Sequence, residues 1–178
     1  MEDKEAFVLF SRYFILLLLG LFKLKLFYLI FTPFTVQPMF MVLSLVYDNA
    51  ALLEGNLIFF GGGYIQIIDA CVAGAAYYLL LILNLSTPMN AEKRIKSIFF
   101  LVLTFLILNI IRILIFAAFA ASGQQYFDIA HKLTWYFGST LMVVILWFVN
   151  VWLFKIKKIP IYTDMKELYK DVISGKKR

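Results

Sequence analysis

From Ile98 to Ala121 the chain reads IFFLVLTFLILNIIRILIFAAFAA, interrupted only by Thr104, Asn109 and Arg112. A helix needs about 20 mostly apolar residues to cross a hydrocarbon layer of roughly 30 Å, and this run exceeds that length. Leu133 to Phe154 meets the same test and carries no charge. A third run, Ala70 to Leu85, closes at Ser86, Thr87 and Pro88 and is short unless Tyr64 to Ile68 adds to it. Two readings stand for the amino-terminal region. One is a single long helix over Phe7 to Phe31, with Arg12 near its start and Lys23 and Lys25 snorkelling. The other is two spans, Phe7 to Phe22 and Leu26 to Tyr47, turning at Lys23 and Lys25. The expected fold is an all-α polytopic membrane protein, a bundle of four or five transmembrane helices.

Composition points the same way. Of 178 residues, 63% are hydrophobic and 16% charged, where soluble domains average near half apolar and a quarter charged. A soluble fold of this content would lack the polar groups to cover its surface. Disorder and a disulfide-stapled module are excluded by the high apolar content and the single cysteine.

The net charge of +6 marks topology and implies no nucleic-acid partner, because the excess sits in one tail. Lys155 to Arg178 holds eight basic residues against three acids, and the loop after Leu85 carries Lys93, Arg94 and Lys96. Two spans separate loop and tail, so they share a side, and the positive-inside tendency makes that side the cytoplasm. The stretch from Pro33 to Asp69 has no lysine or arginine, and with the loop Ser122 to Lys132 it is expected to face outward. Residues 1–158 then form one integral domain of a multi-pass cell-membrane protein, and 159–178 a basic cytoplasmic tail. In that tail Pro160, Asp164 and Glu167 give a helix-start pattern. Met165, Leu168, Tyr169 and Val172 share one face, so an interfacial helix on an anionic leaflet is expected. No cleavable signal peptide is expected, since the first apolar run lacks a small-residue cleavage site.

Before the third run, Leu57 to Phe60 and Tyr64 to Ile68 flank Gly61, Gly62 and Gly63. These read as an outward-facing hairpin or re-entrant segment. The glycines are no phosphate cradle, for no lysine or hydroxyl residue follows them.

Against so apolar a background the polar exceptions stand out. Arg112 lies nine residues, about 13 Å, below the outer end of its span, too deep to snorkel. Asn109, three residues earlier, shares its face. Their structural reading is a pair tying two helices together through Asp69. Cys71 opens the third run in Ile-Ile-Asp-Ala-Cys-Val-Ala-Gly. In a first helical turn, unpaired N–H groups favour a thiolate; otherwise a lone cysteine in an apolar helix is a small inert hydrophobe. Ala70, Ala73, Gly74, Ala75 and Ala76 are small enough to let a neighbouring helix approach Cys71 closely. His131, the only histidine, precedes the last span. It is suited to carry a proton near neutral pH, or else belongs to an interfacial belt with Trp135 and Tyr136. Topology puts Cys71, Arg112 and His131 on one side. They supply a thiol nucleophile, a cation for an oxyanion or carboxylate, and a base or proton donor. One Cys and one His do not make a metal site without carboxylate help, for which Asp69 and Asp128 lie on the correct side, and no cofactor is expected.

At these residues the chain resembles the exosortase/archaeosortase family of membrane-embedded cysteine transpeptidases, in its compact archaeal form. The resemblance rests on Ala70-Cys71 with Gly74 after it, Asn109-x-x-Arg112 in the next span, and His131 at the mouth of the last. It covers roughly Pro33 to Trp152. The chain departs from the family in lacking the hydroxyl residue often found after the cysteine, and its glycine falls one residue later. The resemblance implies an outward-facing site that cleaves carboxy-terminal sorting signals of exported proteins and transfers the product to a membrane acceptor such as a lipid. It implies Cys71 as nucleophile, His131 as proton carrier and Arg112 as oxyanion stabiliser, with Asn109 and Gly74 in support. The alternative is a non-enzymatic assembly factor or lipid-headgroup-binding subunit in which Arg112 holds a phosphate and Cys71 packs. A transporter half fits less well, since no inverted repeat is visible.

Overall fold

The computed structural model describes residues 10, 11, 14, 17, 18, 20, 24–121 and 138–156. Phe10, Ser11, Phe14, Leu17, Leu18 and Gly20 are helical, and Leu24 then takes a left-handed conformation, φ 58°. Helix α1 begins afresh at Lys25 and runs Lys25–Val46. The single long helix over Phe7 to Phe31 is therefore wrong, and the turn beside Lys23 and Lys25 is right. Helix α1 matches the second span of the two-span reading, Leu26 to Tyr47, and so takes in the first part of the lysine- and arginine-free stretch from Pro33.

Two prolines, Pro33 and Pro38, sit inside α1. Each removes an N–H from the helical ladder. The helix continues through both, as membrane helices tolerate proline where neighbouring groups adjust locally.

After α1 the chain forms a three-stranded antiparallel sheet of β1 (Ala51–Leu53), β2 (Leu57–Phe60) and β3 (Gly63–Gln66), in the order β1-β2-β3. The glycine cluster turns as expected: Gly61 and Gly62 take φ 56° and 86°, as a two-residue type I′ hairpin requires. Strand β1 is an addition to the expected hairpin, and it makes the fold something other than all-α.

The run from Ala70 is broken. A one-turn helix α2 (Asp69–Val72) ends at Ala73, which is left-handed at φ 58°, and α3 (Gly74–Ser86) starts anew. Helix α4 (Ala91–Ala121) and α5 (Ser139–Leu153) follow. Among the described residues, three helical segments are long and apolar enough to cross a membrane: Lys25–Val46, Asp69–Ser86 and Ala91–Ala121. The described part of the last apolar run, Ser139–Leu153, is shorter. The tail helix expected over 159–178 lies outside the described residues.

Helix α4 organises the bundle through a row of every fourth residue: Ser97, Leu101, Phe105, Asn109, Ile113 and Ala117 are all buried. Such a row is the ridge that packs between neighbouring helices. Its lower part meets Phe27, Tyr77, Leu80, Val143, Leu146 and Trp147 in one core cluster. Its upper part meets Val36, Met39, Leu43, the sheet residues Ile58 and Phe60, and Val72 in a second. Within the lower cluster Tyr77 stacks on Phe31 with centroids 3.7 Å apart and meets Phe105 edge-on. In lipid such close packing, rather than exclusion of water, holds helices together.

The lower end is fixed by polar groups the sequence reading passed over. Asn84 Nδ2 donates to Ser97 Oγ at 2.6 Å, and Ser97 Oγ donates to Asn150 Oδ1 at 2.8 Å. All three residues are fully buried, one on each of α3, α4 and α5. Arg94 closes the end of α3, its guanidinium donating to the carbonyls of Asn84 at 2.7 Å and Thr87 at 3.0 Å.

Candidate active site

The site forms where the two core clusters meet, at the break between α2 and α3. A continuous helix would bond the Cys71 and Val72 carbonyls to amides one turn on. The left-handed turn at Ala73 diverts the chain, and its own N–H goes back to Asp69 O at 3.0 Å. Carbonyls left unpaired in an apolar interior are costly.

Asn109 and Arg112 supply the missing donors from α4. Asn109 Nδ2 donates to Cys71 O at 2.9 Å and, at the limit of contact, to Val72 O at 3.5 Å. Arg112 Nη2 reaches the same Cys71 carbonyl at 3.4 Å. The other nitrogen of its fork, Nη1, donates to Ser139 Oγ. The guanidinium also lies within electrostatic range of the Cys71 side chain. Asn-x-x-Arg does aim an amide and a cation at one point. That point is the backbone of the cysteine-bearing turn, not Asp69, which lies beside Lys25 and Tyr28 against α1.

Cys71 itself is half-buried and unbridged. The expectation that a helix start would activate it does not hold. A helix of one turn has too few aligned peptide units to build a useful dipole, and the Cys71 N–H is already bonded to Ile68 O at 2.8 Å. Any activation has to come from Arg112 or a base.

Gly74 has a visible reason to be glycine. A Cβ there would fall 2.7 to 3.1 Å from ring atoms of Tyr28 on α1, so its absence lets α1 lie against the cysteine-bearing elements. His131 lies outside the described residues.

Two features escaped the sequence reading. Ser139 is the first residue of α5 and holds Arg112; the only signal was the Gly138-Ser139-Thr140 interruption of an apolar run. Asn109 Oδ1 is buried without a hydrogen-bond partner among the described residues, an acceptor at the site still open to a donor. Arg112 also lines an apolar groove between α4 and α5, with Leu108, Ile111, Ile115, Leu141 and Ile145 among others.

No protein-family model, curated protein or solved structure matches this chain. The functional reading rests on the geometry and on the motifs that carry the sequence resemblance.

Proposed function

We propose that this protein is a membrane-embedded cysteine transpeptidase of the exosortase/archaeosortase kind, acting on exported proteins at the outer face of the cell membrane. The observation that carries the reading is the convergence of Asn109 and Arg112, two polar side chains of an apolar helix, on the half-buried turn that holds the only thiol. A structural cap needs an amide there. It does not need a guanidinium tethered by Ser139 as well.

In this reading the Cys71 sulfur attacks the carbonyl carbon of a peptide bond in the carboxy-terminal signal. The C–N bond breaks, a thioester forms, and the leaving amine takes its proton from His131. An acceptor hydroxyl or amine, such as that of a membrane lipid, then gives its proton to His131 and attacks the thioester, which frees the Cys71 thiolate and leaves His131 protonated as at the start. Arg112 stabilises the oxyanion of both steps, and a cation in a low-dielectric site is worth far more there than in water. The positive-inside tendency supports an orientation with the basic loop at Lys93 to Lys96 inside and the Cys71 turn toward the outside.

The test is processing of a co-expressed exported protein whose carboxy-terminal signal is shared by products of neighbouring genes. Cys71→Ala is expected to abolish processing, and His131→Ala and Arg112→Ala to reduce it by roughly a hundredfold or more. Arg112→Lys is expected to stay impaired, because a lysine cannot reach Ser139 and the Cys71 turn with one planar fork. Full processing by Cys71→Ala would sink the reading. One observation favours a second reading, a subunit that holds a lipid headgroup: Arg112 also lines the apolar groove between α4 and α5. Lipid that co-purifies with wild type and is lost in Arg112→Ala, with no processing by either, would select it.

A further inference from the structure

The sheet that leads into Cys71 ends in an edge whose backbone groups have no partner among the described residues. Strand β3 is outermost in the order β1-β2-β3. Its register with β2 pairs Gly63 with Phe60, Ile65 with Ile58 and Ile67 with Asn56, whose carbonyl takes the Ile67 N–H at 3.0 Å. In an antiparallel ladder alternate residues bond to the same neighbour. Gly63, Ile65 and Ile67 therefore face β2, and Tyr64 and Gln66 turn their N–H and C=O groups the other way. Among the described residues nothing pairs with them. Both residues are exposed, Tyr64 at 67%.

Natural sheets guard such an edge with lysine, proline or an inward charge. Residues 57–68 contain none of these. Nor does the depth offer an easy escape: β2 packs beside Ile113 and Ala117 of α4 in the upper core cluster, next to a span where open sheet edges are costly. Four backbone groups spaced two residues apart, about 6.6 to 6.8 Å, fit an extended polypeptide. A lipid chain has nothing to give them.

The edge also points somewhere. From Gln66 the chain passes through Ile67 and Ile68 straight into the α2 turn, where Cys71 N–H bonds Ile68 O. We infer that the free edge of β3 at Tyr64 and Gln66 is the substrate-binding site, which takes the segment beside the scissile bond as an added fourth strand and delivers it to Cys71. This rests on the transpeptidase reading. Recognition is by main-chain pairing, as in other strand-addition complexes, so it selects an extended backbone first and side chains second.

The test uses the full-length protein in membranes and the same processing reporter. Tyr64→Pro and Gln66→Pro each remove one outward N–H and leave the inward ladder intact. Each is expected to slow processing roughly three- to tenfold, the worth of one net hydrogen bond. Alkylation of Cys71 by N-ethylmaleimide is expected to stay at the wild-type rate in both variants, showing the site is folded. Prolines scanned through the reporter's signal are expected to block processing at alternate positions; this arm decides the matter if a β3 variant fails to fold. Normal processing by both proline variants, or a scan without alternation, overturns the inference while an inactive Cys71→Ala leaves the enzyme reading standing. An active Cys71→Ala removes both. A disulfide-linked dimer formed by Tyr64→Cys in a Cys71→Ala background would give the edge to a second copy instead, and so overturn it.

Discussion

Asn109 satisfies a carbonyl that the break at Ala73 leaves without its helical partner, and it does so from 38 residues away. Asn109→Leu keeps the volume and removes the donor. It is expected to destabilise the protein by about 1 kcal/mol, within the range of one unpaired buried carbonyl, because hydrogen bonds between membrane helices measure somewhat under their soluble counterparts. Thermal unfolding in detergent checks this. Asn109→Asp should cost more, since a carboxylate would set acceptor against acceptor. At this scale the sequence was informative in a particular way. Cys71, Asn109 and Arg112 were visible as polar exceptions that a bilayer does not explain. Their shared target was not visible, because an exception announces that it has a partner without saying which. Ser139 stayed hidden because a serine in a membrane helix commonly bonds its own upstream carbonyl and so needs no explanation.

Among the elements, the break in the cysteine-bearing run departs furthest from local expectation. Alanine is the best helix former, and Ala70 to Ala76 is rich in it, so propensity alone predicts one unbroken helix. Ala73 is left-handed instead, at a local cost of roughly 1 to 2 kcal/mol for a residue with a Cβ. The donors on α4 offset that cost. Ala73→Gly is therefore expected to be neutral or stabilising by up to about 1 kcal/mol, although glycine weakens a helix interior. Ala73→Val is expected to destabilise, since a β-branched residue tolerates this conformation worst. Paired melting curves of the two variants separate a true break from a helix that only bends. The sheet was half legible. Three glycines between apolar runs marked the β2–β3 hairpin, whereas the three residues of β1 are too few to show a period.

Across the whole molecule the spacing of the two polar anchor levels sets the depth of the site. Arg94 grips the end of α3 and Asn109 grips Cys71 O, and the fifteen residue steps of α4 from one to the other rise about 22 Å. In a hydrocarbon layer of roughly 30 Å, with the Arg94 level at one boundary, the Cys71 turn lies in the opposite half, several ångströms below that surface. On the proposed orientation a small permeable maleimide is expected to label Cys71 readily, and a bulky impermeant one slowly from outside intact cells. Labelling by the impermeant reagent only after the membrane is opened would reverse the orientation. What the sequence determined by itself was the apolar character of the spans and the glycine turn, because both follow from interactions within a few residues or with the surrounding medium. The tertiary structure alone decided that the run at Ala70 breaks, that Asn109 and Arg112 meet there, that Ser139 joins them, and that β3 is left with an edge unpaired among the described residues. Those are outcomes of packing between segments tens of residues apart, where each local preference is weak and the shared burial of polar groups settles the arrangement.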